Sequence, residues 1–194
     1  FEVRGKILGI IGYGSIGSQL SVVAESLGMK VIYFDLVEKL GLGNVIPCES
    51  MENLITQSDI ISVHVDGRKA NNNLIGKSQF DLMKPGVIFL NLSRGSVVNN
   101  IDLKNAIQSG KVAGAGVDVF PQEPMSNKDV FLSELRGLPN TILTPHVGGS
   151  TLEAQKNIAN FVPTRIIDYI NTGSTSNTVG FPDITLPMLK QAHR

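Results

Sequence analysis

Short apolar runs rich in β-branched residues punctuate the chain, and the stretches between them repeat their apolar positions every three or four residues. The runs "KILGIIG" (6–12), "KVIYFD" (30–35), "DIISVHV" (59–65), "GVIFLNL" (86–92), "VAGAGVDVF" (112–120) and "NTILTP" (140–145) predict strands. They are almost continuously apolar rather than alternating, the pattern of parallel strands covered on both faces. Helices are predicted over about 15–28, 50–57, 77–83, 100–109 and 150–171, with Asn99 or Asn100 as a cap and Gly110 as a stop for the fourth. Strand and helix in strict alternation give right-handed crossovers. The expected fold is therefore α/β: a Rossmann-type doubly wound parallel sheet with helices on both faces. Beyond residue 172 the chain turns polar and turn-rich, so 1–172 reads as one domain and 173–194 as a linker leading away from it.

The first strand runs directly into Gly12-x-Gly14-x-x-Gly17, which opens the first helix. Such a turn lets the backbone come close to a pyrophosphate, while the helix N-terminus offers it unpaired N–H groups. Asp35 closes the second strand, where a carboxylate can accept from the hydroxyls of an adenosine ribose. It would repel the 2′-phosphate of NADP, and residues 36–38 are Leu-Val-Glu with no arginine among them, so NAD is the expected cofactor.

Ligands of an open parallel sheet sit beyond the carboxyl ends of its strands. There the chain places Arg94 after the fourth predicted strand, Asp118 and Glu123 after the fifth, and His146 after the sixth. Arg94 offers a planar fork to a carboxylate, His146 can take a proton near neutral pH, and Glu123 could orient the imidazole. A hydride acceptor, a proton acceptor and a substrate clamp are what oxidation of a secondary alcohol with NAD requires.

Composition removes other function classes. Seventeen basic and seventeen acidic residues cancel, which gives no sign of a nucleic-acid or anionic-membrane partner. No apolar run approaches a membrane span, and no metal-ligand cluster is visible. The single Cys48 cannot form an intrachain disulfide and fits a reducing, cytoplasmic compartment. The chain opens "FEVRGK" without a Met, so the natural N-terminus is expected to lie elsewhere.

The stretches "RGKILGIIGYGSIG", "LMKPGVIFLNLSRGSVV", "GAGVDVFPQEP" and "TPHVGGSTLEAQ" resemble the D-isomer-specific 2-hydroxyacid dehydrogenases over residues 4–187. The likeness is greatest to the branch that oxidises 3-phospho-D-glycerate to 3-phosphohydroxypyruvate, the first step of L-serine biosynthesis. The resemblance implies a catalytic set of Arg94, Glu123 and His146, a phosphorylated 2-hydroxy acid as substrate, and a homo-oligomer. It also implies cofactor contacts from Ser15, Ile16, His64, Val65, Leu92, Ser93, Arg94, Asp118 and the run His146, Val147, Gly148 and Gly149, besides the glycines and Asp35.

Two departures from the family pattern stand out. Asp66-Gly67 follows His64-Val65 where a proline is usual, which predicts a looser loop less favourable to an anion. Ser15 stands where a basic or imidazole side chain is common, leaving the helix end as the main electrostatic help. The Asn-rich "RKANNNLIG" (68–76) has no function legible in the sequence. Because such enzymes build their substrate domain from a segment ahead of "RGK" and a later return of the chain, this chain alone is expected to bind NAD and turn over weakly or not at all. Alternatives are a dehydrogenase for glycerate, lactate or a 2-hydroxyglutarate-like acid, and a non-catalytic NAD(H)-sensing module.

Overall fold

A computed structural model describes residues 2–126 and 128–176. The predicted linker is therefore described only as far as Ser176, and the rest of it lies outside the described residues. The described residues fall into two compact units that divide between Pro145 and His146.

The first unit carries a seven-stranded, all-parallel sheet. Its strands are β1 (Ile7–Ile11), β2 (Lys30–Phe34), β3 (Ile46–Pro47), β4 (Ile60–Val63), β5 (Val87–Asn91), β6 (Val112–Val117) and β7 (Thr141–Leu143). The order across the sheet is β3-β2-β1-β4-β5-β6-β7, so β1 lies between β2 and β4 and the connections change direction beside it. The helices of this unit are α1 (Ser15–Ser26), α2 (Met51–Gln57), α3 (Lys77–Leu82) and α4 (Asn100–Gln108), with single 3-10 turns at Lys69–Asn71 and Gly95–Val97. All six predicted strands are present; the two-residue β3 was not foreseen, being too short to carry a period.

Alternation along each strand divides the core into two layers. Ile11, Ile61, Val63, Val87, Phe89 and Val117 pack with Leu54 and Ile55 of α2, Phe80 of α3 and Leu103 and Ile107 of α4. Leu8, Ile10, Val31, Tyr33 and Ile60 turn the other way and pack with Leu20 and Ala24 of α1. Apolar pressure on both sides explains why the strands read as unbroken runs.

The helices are started by local chemistry. Ser50 Oγ accepts from Asn53 N–H at 3.0 Å at the head of α2, and Asn99 Oδ1 accepts from the N–H groups of Ile101 and Asp102 at 3.1 Å at the head of α4. Asn99, rather than Asn100, is the cap. Gly110, at φ +77°, follows the end of α4.

The second unit contains α5 (Leu152–Thr172), capped by Thr151, whose Oγ1 accepts from Ala154 N–H at 3.1 Å. Gly173 ends it in the left-handed region. No helix among the described residues is long and apolar enough to cross a membrane.

Candidate active site

The parallel sheet directs the carboxyl ends of β1, β2, β4, β5 and β6 to one edge, and the sequence-predicted residues of the first unit gather in the loops there. The turn after β1 is set by steric necessity. Gly12 has φ +94°, and a Cβ on it would lie 2.8 Å from the backbone of His64. A Cβ on Gly17 would lie 2.3 Å from the carbonyl oxygen of Gly12, so α1 can start this close to β1 only without a side chain. At Gly14, by contrast, a Cβ would meet nothing within 4 Å. Gly14 caps α1 without a side-chain hydrogen bond, unlike the caps of α2 and α4. The first turn of α1 thus keeps N–H donors open beside free space, and Ser15 and Ile16 are exposed there.

Asp35 stands on one side of this turn. Its Oδ2 accepts from Tyr13 N–H at 2.8 Å and its Oδ1 from Val37 N–H at 3.0 Å, so the carboxylate is tied to both the glycine turn and its own loop. On the other side stands His64, whose N–H donates to Ile11 O at 2.7 Å. Its Nε2 hydrogen-bonds Ser62 Oγ at 2.8 Å, while Nδ1 is buried without a partner among the described residues. Burial lowers the pKa of this imidazole and keeps it neutral near pH 7. Val65, next to it, is half-buried. An open helix end, an anchored carboxylate and an orphaned imidazole nitrogen around one glycine turn fit a dinucleotide.

The loop after β5 is fixed from beneath by Asn91, which is fully buried. Its Oδ1 accepts from Ser93 N–H at 3.2 Å and from Ser93 Oγ at 2.9 Å, and its Nδ2 donates to Arg94 O at 3.3 Å. Leu92 and Arg94 are left exposed on either side of buried Ser93. The Arg94 Nη1 donates to Ser93 O at 2.7 Å.

Gly95 then brings this loop against the one that follows β6. A Cβ there would lie 2.0 Å from the carbonyl carbon of Phe120 and 2.5 Å from Pro121 N, so the two backbones are in direct contact. Three residues further on, Glu123 Oε1 accepts from Phe120 N–H at 3.0 Å. Arg94 and Glu123 therefore belong to loops packed on one another. Asp118, at the end of β6, donates its N–H to Asn91 O at 3.1 Å and accepts from Thr144 Oγ1.

His146, Val147, Gly148 and Gly149 open the second unit. His146 has φ +53°, a left-handed conformation that costs a residue with a side chain free energy and is concentrated at functional positions. Gly148 and Gly149 face open space, and Gln155 Nε2 of α5 donates to Gly149 O at 2.7 Å.

Two features escaped sequence reasoning. Asn91 carries one signal, a polar residue inside an apolar strand. The Asp66 loop, expected to be loose, is instead closely bonded. Asp66 Oδ1 accepts from Arg68 N–H and Nε–H at 3.1 and 2.8 Å and from Asn71 Nδ2 at 3.0 Å. The Arg68 guanidinium holds the Asp66 carboxyl down to about 2, and this neighbouring cation balances the added negative charge. Cys48 is half-buried and its thiol pKa is raised by burial, away from the range of a reactive thiolate.

Residues 1–148 match the family model described as D-isomer specific 2-hydroxyacid dehydrogenase, NAD binding domain. The chain belongs to this family. It is 49% identical over 193 residues to D-3-phosphoglycerate dehydrogenase of Dictyostelium discoideum, an alignment covering 100% of the chain and 47% of that protein. It is 48% identical over 188 residues to the Escherichia coli (strain K12) protein of the same name, covering 97% and 46% respectively. The chain thus spans about half the length of the curated relatives it matches. Among solved structures, D-lactate dehydrogenase with NAD+ from Lactobacillus jensenii superposes with TM-score 0.79 at 29% identity, covering 92% of this chain and 56% of that one. The holo form of Rhodotorula graminis D-mandelate dehydrogenase gives 0.79 at 30%, covering 96% and 54%. The family's cofactor is NAD, in agreement with the fit of the β1–α1 turn.

Proposed function

We propose that this chain carries the cofactor site and reacting groups for NAD-dependent oxidation of 3-phospho-D-glycerate to 3-phosphohydroxypyruvate. The observation that carries the reading is the open phosphate-type turn at the same sheet edge as the packed loops of Arg94 and Glu123. The choice of acid is supported by relatives at 48–49% identity named for that substrate.

NAD, when bound, supplies the hydride acceptor. Gly12 to Gly17 and the head of α1 would hold its pyrophosphate, Asp35 its adenosine ribose, and His64 and Val65 would border it. On the nicotinamide side the reading places Leu92, Ser93, Asp118 and the run from His146 to Gly149. Arg94 grips the substrate carboxylate with its guanidinium fork. His146 accepts the proton of the substrate hydroxyl, and Glu123 is the carboxylate that orients the imidazole and strengthens it as a base.

The same reading treats 1–172 as the cofactor domain and 173–194 as the segment leading out of it, in a cytoplasmic homo-oligomer. A second reading, action on another D-2-hydroxy acid, is favoured by solved relatives named for lactate and mandelate. Rates on 3-phosphoglycerate, D-glycerate and D-lactate, measured for the protein in its full open reading frame, separate the two. His146→Gln in that protein should lower turnover by roughly 10²–10⁴-fold while NADH still binds. Unchanged turnover in that variant would remove His146 from the reaction.

A further inference from the structure

Arg94 is held at its backbone and at the tip of its side chain, where Nη1 donates to Ser93 O at 2.7 Å. Asn91 holds its carbonyl, and Gly95 pins the next peptide to Phe120 and Pro121. Between these two anchors the aliphatic stem passes close to a second loop. A Cβ added at Gly67 would lie 3.1 Å from Arg94 Cγ, 3.6 Å from Cβ and 3.7 Å from Cδ. The aliphatic part of Arg94 therefore occupies the space into which a side chain at position 67 would project.

Gly67 is itself secured. Asp66, just before it, accepts from the backbone N–H and Nε–H of Arg68, and its Oδ2 accepts from Nε–H at 2.9 Å and from Nη2–H. Asn71, only 8% exposed, donates through Nδ2 to the Asp66 carbonyl at 2.9 Å as well as to its carboxylate. Further along, the segment is laced to the residues after Arg94. Asn73 N–H donates to Ser96 O at 2.9 Å, Ile75 N–H to Val97 O at 3.1 Å, and Asn99 N–H to Ile75 O at 2.9 Å. The Asn-rich stretch that has no role in the sequence is thus a bonded strap running beside Arg94.

We propose that Gly67, fixed by the knot of Asp66, Arg68 and Asn71, is the positioning residue for Arg94, so that this loop sets where the guanidinium meets the carboxylate of the hydroxy acid. The proposal rests on the reading of Arg94 given above. A bidentate fork has to be in register with its carboxylate, so a sideways displacement of the stem is felt in binding. Gly67 is exposed and its backbone is outside the left-handed region, so alanine there is tolerated by the fold and acts through the contact with Arg94.

The test compares wild type, Gly67→Ala, Arg94→Ala and the double variant in the full open reading frame. It reads kcat/KM for 3-phosphoglycerate, the Kd of NADH, and the Kd of oxalate, a planar dicarboxylate, on the NADH-loaded protein by nicotinamide fluorescence. A shift of a few tenths of an ångström should lower kcat/KM about tenfold, mostly through KM, given that misplacement by 1 Å can cost about 100-fold. Oxalate should weaken in proportion and NADH should stay within about twofold. On the Arg94→Ala background, with no stem to displace, Gly67→Ala should add no further loss. Asp66→Ala should act in the same direction by a smaller factor.

Wild-type kcat/KM in Gly67→Ala, equal losses in both backgrounds, or a parallel loss of NADH affinity would each overturn the proposal. Wild-type kinetics in Arg94→Ala would instead overturn the reading of Arg94 itself, and this inference with it.

Discussion

Asp35 offers the sharpest test of the cofactor site, because its charge and its structural bonds can be removed separately. A 2′-phosphate beside this carboxylate places like charges in contact. At about 4 Å a unit pair costs ~1 kcal/mol in water and ~4 kcal/mol at the effective dielectric of a protein surface. Arg68 feels the field of Asp35, after its stronger attraction to Asp66, and so moderates the repulsion. A net discrimination of about 2–3 kcal/mol, or roughly 30–150-fold in favour of NADH over NADPH, follows. Asp35→Ala should abolish the repulsion and also lose the ribose contact, a charged hydrogen bond worth about 1.5–3 kcal/mol, so NADH affinity falls while NADPH affinity does not. Asp35→Asn keeps an oxygen for the N–H groups of Tyr13 and Val37 while removing the charge, and should shift preference with less loss of NADH binding. The assay is nicotinamide fluorescence on the 194-residue chain, whose lack of tryptophan leaves little background. If the NADPH-to-NADH ratio stays within threefold of wild type in both variants, electrostatic selection by Asp35 is wrong.

Gly95→Ala should force apart the loops of Arg94 and Glu123, since its Cβ would meet backbone at 2.0 Å rather than a flexible side chain. An overpacking cost of about 1–3 kcal/mol should appear as a lower urea midpoint. Leu103→Ala, at a fully buried position on α4, should cost about 2–5 kcal/mol in the same unfolding experiment. Asp59 supplies a pH test. Burial opposes its charge, but the Ile7 N–H and the Lys84 ammonium, each at 2.9 Å, outweigh that and lower its pKa on balance. A lowered folded pKa stabilises the fold above the unfolded value of about 3.9, and the gain is lost as pH falls through the folded value. The stability gap between wild type and Asp59→Asn should therefore be full at pH 7 and close progressively below about pH 4; a gap that widens on acidification would contradict it.

The sequence by itself determined whatever depends on residues close together in the chain. The continuous apolar runs of β1, β2 and β4 matched strands covered on both faces, whereas the edge strand β7 leaves Ile142 exposed. Asn99 could start a helix by accepting from N–H groups two and three residues on, and Gly12-x-Gly14-x-x-Gly17 declared a turn at which backbone, not side chain, had to be close. Arg94, Glu123 and His146 could be singled out as candidates because each lies beyond the end of an apolar run. Tertiary structure decided which distant segments lie against each other. Nothing near Gly95 announces that it will rest on Phe120 and Pro121, and nothing near Gly67 announces Arg94. Asn91 looked like an interruption of a strand until its amide was seen bonding Ser93 and Arg94 from below. The substitution of Asp66 for the family's usual proline suggested a loose loop, because no local pattern shows one carboxylate gathering donors from Arg68 and Asn71. Periodicity and turn sterics are short-range and are written along the chain, whereas these contacts depend on the order and register in which β1, β4, β5 and β6 lie side by side, and those exist only once the sheet has formed.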